Sequence, residues 1–335
     1  MVIKTNLILI IIIFYYYKMN TLFENTTSIR DISKRNYLVQ LKLIYNLIAK
    51  KSVDTIDNIN VKKFTTLLLN NQSKLKKILS SKYKPNTIRT KIIAIKVFLK
   101  LALKTGDKIA SYNEWFDSLT ADIDKTAGQK TPAEKEQWTT MEALNKKMDI
   151  LIDEFKILIK EPLTKTNYNK IRNIFIVSLH VLLPNPRRNI WRTVIYSSKK
   201  HYDSIPKETR DMHNYFIAGS TPKLILNIQK NQLSQTIDLG KLVQKFKQIF
   251  NSYVKKLSIE NGDLLLQTSA GGHLTQNYYS NILKKTIGIG SSMIRKIYAT
   301  ENTDIDAVNG FNKITNDARA SGHAASTRIK YYVKT

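Results

Sequence analysis

The chain has 335 residues, of which 42% are hydrophobic, and 54 Lys plus Arg face 26 Asp plus Glu, leaving a net charge of +28. That is enough apolar material for two cores, and the excess of base runs from residue 30 to the end instead of gathering in a tail, so a polyanion is the expected partner. The lack of cysteine excludes disulfides, thiolate zinc sites and Cys nucleophiles, and the five histidines form no metal-binding pair of known spacing.

Residues 7–17 are an unbroken apolar run between Lys4 and Lys18. The run is shorter than the roughly 20 residues a membrane-spanning helix needs, and no small-residue cleavage site follows it. Residues 1–27 are therefore expected to be an apolar extension, non-native or disordered, with a membrane-surface anchor or a packed segment as the alternatives and with Met19 opening an ordinary soluble sequence; the protein is expected in cytoplasm or nucleus, without membrane insertion or secretion.

Residues 28–120 read as a helical domain. Leu38, Leu41, Tyr45 and Ile48 recur at helical spacing, as do Phe64, Leu67 and Leu68, and then Leu75, Ile78 and Leu79. Pro85 begins a stronger helix, with Asn86 or Thr87 as candidate N-cap and with Ile88, Ile92, Ile95, Leu99 and Ala102 on one stripe. Its other faces carry Arg89, Lys91, Lys96 and Lys100, a basic surface suited to DNA phosphates. Residues 121–138 are polar and read as a linker.

A second domain is expected over 139–335. Thr139 and Glu142 suggest a capping box for a helix carrying Met141, Leu144, Met148, Leu151 and Ile152. A helix over 166–183 stops at Pro184 and Pro186, and short strands are expected at 193–196, 215–218, 223–228 and 235–239. Together these suggest a three-stranded antiparallel sheet, followed by helices after Lys241 and from Thr275. The fold class is thus mainly α with a small antiparallel β-sheet: an all-helical first domain and an α+β second one.

Five positions in this half carry the chemistry. Arg187 stands in Pro184-Asn-Pro-Arg-Arg-Asn189, and Lys230 lies in the turn expected after residue 228. Arg295 lies in Ser292-Met-Ile-Arg-Lys-Ile-Tyr298, His323 follows Gly322, and Tyr332 lies near the end. In this order they resemble the active site of the tyrosine recombinases, the enzymes that cut and rejoin DNA and include phage integrases. The Pro-Asn-Pro-Arg-Arg-Asn stretch is closest in style to integrases of large DNA viruses, virophages and related mobile elements.

The resemblance implies an all-helical core-binding domain and a mixed catalytic domain that together clamp double-stranded DNA. It implies a covalent 3′-phosphotyrosyl intermediate formed without ATP, cofactor, metal or small-molecule substrate, in a homotetramer on two DNA sites. Arg187 and Arg295 would clamp the nonbridging phosphate oxygens, since a guanidinium binds phosphate bidentately and stays charged. Lys230 would protonate the leaving oxygen. His323 belongs to the Gly-His pair, and Tyr332, nine residues on, would be the nucleophile. Arg188 and Tyr331 are the alternates one residue away. Lys296, beside Arg295, is a further expected DNA contact. The family pattern departs at two places: Ser292 occupies the usual histidine, and Ile190 the usual acid. A type IB topoisomerase, or a catalytically inactive DNA-binding protein, are the alternatives.

Overall fold

The structure is a computed structural model that describes residues 19–103, 109–126, 128–187, 189–228, 234–240, 242–304, 306 and 310. Contacts divide the chain into two units, which meet between Gln129 and Lys130.

The first unit is helical: α1 (Met19–Glu24), α2 (Asp31–Ala49), α3 (Val61–Asn70), α4 (Gln72–Lys82), α5 (Pro85–Leu103) and α6 (Ala110–Lys125). Of the apolar stripes read from the sequence, Leu41, Ile48, Phe64, Leu68, Leu75, Leu79, Ile88, Ile92, Ile95 and Leu99 are buried in one cluster, joined by Ile44 and Phe98, while Leu38, Tyr45, Leu67 and Ala102 are partly buried against it. Helix α5 begins at Pro85, whose missing N–H costs nothing there, and the amides of Thr87 and Ile88 return to the Lys84 carbonyl at 2.9 and 3.1 Å. Asn86 and Thr87 therefore lie inside the first turn and do not cap it.

Two expectations change here. Met19 and Phe23 of α1 are buried in this core, so the chain from Met19 belongs to the folded unit; residues 1–18 lie outside the described residues. The linker expected over 121–138 holds the last turn of α6 and a further helix, α7 (Pro132–Gln137). A capping box does occur in this region, but at Thr131 and Glu134, and it opens α7. Helix α8 (Met141–Leu158) is capped by Thr140, whose side chain accepts from the Ala143 amide, so Glu142 is no partner in a box; it pairs with Lys146 instead.

The second unit is built around α9 (Lys165–Val181), capped by Thr164. From Ile174 to Val181 every residue of α9 is buried, as befits a helix packed on all sides. Phe175 stacks on Tyr253 with ring centroids 3.9 Å apart. Four strands follow: β1 (Val194–Ser198), β2 (Asn214–Ala218), β3 (Lys223–Leu226) and β4 (Gln235–Asp238), adjacent in that order.

The strand positions match the sequence reading, but the sheet is mixed. β2, β3 and β4 are antiparallel neighbours, while β1 runs parallel to β2. A parallel pair needs a crossover. Here it is made by two short helices, α10 (Lys199–Ser204) and α11 (Lys207–Asp211), whose polar sequences carry no apolar period that would reveal them. Their side of the sheet holds Tyr215, Ile217 and Ile225 with Tyr202 and Ile205, while Phe216, Leu224 and Leu226 face the main core. Helices α12 (Gln244–Lys256), α13 (Gln276–Ile287) and α14 (Ser291–Glu301) complete the unit. Gly288, at φ 87°, lets α13 turn into α14 within a few residues.

Candidate phosphate-binding site in the second unit

Beyond α9 the chain must reverse sharply, because Pro184 and Pro186 cannot continue a helix. Asn185 takes a left-handed conformation at φ 53°, Leu183 and Pro186 are buried, and Arg187 emerges half-buried. Desolvation lowers the pKa of its guanidinium, which remains a cation throughout the working range. A 3-10 turn, Asn189–Thr193, then leads into β1, with Trp191 buried beneath it.

This loop is fastened to the two helices that follow the sheet. The Asn189 side-chain amide donates to Ser280 Oγ on α13 at 3.1 Å and accepts from Ser291 Oγ on α14 at 2.9 Å. Arg192 donates to the Leu274 carbonyl at 2.9 Å, just ahead of α13. Helix α14 buries Met293, Ile294 and Ile297, which holds Arg295 half-buried on its remaining side. Ser292 is exposed. The loop of Arg187 and the helix of Arg295 are thus joined through one amide, and no hydrogen bond or ion pair to another described residue occupies either guanidinium.

Below them lies a polar pair that the sequence did not single out. His180 on α9 is fully buried, and its Nε2 lies 2.8 Å from the Tyr279 hydroxyl on α13. Its Nδ1 has no partner. Burial, with the nearby charge of Arg295, pushes the His180 pKa down to about 3, so the ring is neutral at physiological pH. Burial also holds the Tyr279 phenol far above its usual range, opposed only in part by Arg192, so Tyr279 keeps its proton. The signal available in the sequence was a lone histidine inside the apolar run 174–183.

Arg172 is a buried cation that the sequence pattern does not single out. It donates to the Gln267 carbonyl, Asn173 Oδ1 and the Tyr278 hydroxyl at 3.2, 3.0 and 3.0 Å, and so ties α9 to the segment before α13. Among the described residues no group of three or more His, Asp or Glu side chains is arranged to hold a metal ion.

Of the catalytic residues expected from the sequence, Arg187 and Arg295 are described and their elements are brought together. Lys230, His323, Tyr332 and the alternates Arg188 and Tyr331 lie outside the described residues.

The expected DNA contacts divide. Lys100 is exposed, and Arg89 and Lys96 both lie over the Phe116 ring of α6, at 5.5 and 4.3 Å from its centroid. Lys91 is a correction: it is buried, donates to Gln40 Oε1 at 2.7 Å and sits 4.5 Å from the Tyr83 ring centroid. Helical position 91 turns inward between α2 and α5, so this amine cannot reach a phosphate. Lys296 is on the surface but is ion-paired with Glu134 of α7. No helix among the described residues is long and apolar enough to cross a membrane. Set against known proteins, the chain matches no protein-family model and no curated sequence.

Proposed function

We propose that the chain is a DNA strand-breaking and rejoining enzyme of the tyrosine recombinase type. The observation that carries this reading is that the loop bearing Arg187 is fastened through Asn189 to the helix bearing Arg295, while neither guanidinium holds an acidic partner among the described residues. Preorganised positive charge of this kind suits the transition state of phosphodiester transfer, where charge grows on the nonbridging oxygens. In this reading the phenol of Tyr332, or of Tyr331 beside it, gives up its proton to water or a neighbouring side chain as its oxygen attacks the phosphorus and takes over the 3′ phosphate. Lys230 gives its proton to the departing 5′ oxygen, and His323 supports the phosphate with the arginines. Double-stranded DNA is the partner, held by the basic faces of both units, and a homotetramer on two sites performs the exchange.

The test is a nicked suicide DNA substrate, which loses a short fragment after cleavage and so traps the adduct. Mass spectrometry of the trapped protein should find DNA on Tyr332, or on Tyr331 if the register is shorter. An adduct on neither tyrosine, or none at all, overturns the reading. Ser292 favours a second one. A serine hydroxyl is a poor base at neutral pH, and this one is exposed where the resembled family has a histidine. A DNA-binding protein without strand-cutting activity would bind the same substrate and leave no adduct.

A further inference from the structure

We infer that Asn189 is the positioning residue that fixes Arg187 relative to Arg295. The inference rests on the proposed phosphate-binding role of the two arginines. Three observations meet at this side chain.

Asn189 is two residues beyond Arg187 and opens the 3-10 turn, so the direction of its side chain and the exit of the Arg187 backbone are set together. Its amide spans two helices, donating to Ser280 Oγ at 3.1 Å and accepting from Ser291 Oγ at 2.9 Å. Ser291 is buried and is the first residue of α14, four positions before Arg295, which places the two on the same helical face one turn apart. The path from one arginine to the other thus runs through a short piece of backbone, one side-chain hydrogen bond and one turn of helix.

An amide is well suited to this place. It offers a donor and an acceptor on a short stem, and serine hydroxyls can serve as either partner. Alanine would remove both bonds, leave the loop held by the packing of Leu183, Pro186, Ile190 and Trp191 and by the Arg192 bond, and let Arg187 shift without touching its charge. Misplacement of a clamping group by about 1 Å can cost on the order of 100-fold in rate.

The experiment compares the full chain with Asn189→Ala, Ser291→Ala and the double variant, measuring four quantities. These are the rate of adduct formation at saturating suicide DNA, the affinity for that DNA, the thermal midpoint, and hydrogen exchange in residues 183–193. Asn189→Ala should slow the adduct step about 10- to 100-fold while DNA affinity stays within about two- to threefold, because most phosphate contacts lie elsewhere. Exchange in the loop should quicken, and the double variant should be no slower than Asn189→Ala, since Ser291 acts through its bond to Asn189, which that variant has already lost.

Additive rate losses in the double variant, or a fall in affinity and thermal midpoint that tracks the rate, would make Asn189 a general stabiliser and overturn the inference. Unchanged loop exchange in Asn189→Ala would overturn it as well. If the unaltered chain forms no adduct, the strand-transfer reading fails, and loop exchange alone decides whether Asn189 holds the arginine loop.

Discussion

The two units bury polar side chains for different ends. In the first, Lys91 turns into the core, where one amide and one aromatic ring receive it, while Lys100 stays exposed and Arg89 and Lys96 lie half-buried over the Phe116 ring. In the second, Arg172, His180, Trp191 and Arg192 each keep a buried nitrogen without a hydrogen-bond partner. Such atoms carry a desolvation cost of roughly 1–3 kcal/mol each. In the first unit the atoms of this kind are Arg89 Nε and Thr120 Oγ1. The difference lies in place, and it directs the search for chemistry: His180, Trp191 and Arg192 flank the turn that carries Arg187, whereas Arg89 and Thr120 sit on the packed helices α5 and α6.

The largest expected effect is on the core that supports this arrangement. Phe175→Ala should destabilise the second unit by about 3–5 kcal/mol, because the ring stacks on Tyr253 and also lies against Phe246 and Phe250. Denaturant unfolding followed by hydrogen exchange, read separately for residues 19–129 and 130–304, checks this. Equal loss in both halves would show that the units do not unfold independently.

Next comes the clamp. Arg295→Ala should slow adduct formation about 10² to 10³-fold, a loss of roughly 3–4 kcal/mol of transition-state stabilisation, with a much smaller change in DNA affinity. Single-turnover trapping measures it, and an unchanged rate would remove Arg295 from the site.

The pH response sharpens the contrast further. His180 is neutral when folded, with a pKa of about 3 against an ordinary 6.5, so below pH 6.5 the unfolded chain binds more protons than the folded one. Its contribution to stability is complete above about 6.5 and is lost as the pH falls toward 3. The slope in that window should approach about 1.4 kcal/mol per pH unit. Since carboxylates also titrate there, the measurement is the difference between the unaltered chain and His180→Gln. Parallel curves would mean that His180 is not held neutral.

The smallest effects lie in the first unit. Lys100→Ala should reduce the salt dependence of DNA affinity by about one unit of slope, whereas Lys91→Met should leave that slope unchanged. A drop in slope for Lys91→Met would place its amine at the DNA surface, against its burial.

Much of the fold was legible because hydrophobic period and end signals are local. The stripe Ile88, Ile92, Ile95 and Leu99 announced α5, and Thr275 announced α13. Strand positions were legible for the same reason, since Leu224 and Leu226 alternate with Ile225. The direction of β1 was not, because it depends on a crossover built from polar residues. The burial of Lys91 was equally hidden: on α5 it shows the same chemistry as Lys100, and only the packing of α2 and Tyr83 against that face decides that one amine enters the core.

By itself, then, the sequence determined that the chain is basic, that its first half is helical and its second mixed, and that Arg187 follows a helix end, since all of these follow from composition and short-range spacing. Only the tertiary structure decided that Asn189 joins the two arginine-bearing elements and that His180 lies neutral beneath them. Those contacts join residues far apart in sequence. A hydrogen bond across such a separation is set by the packing of whole helices, which no local pattern encodes.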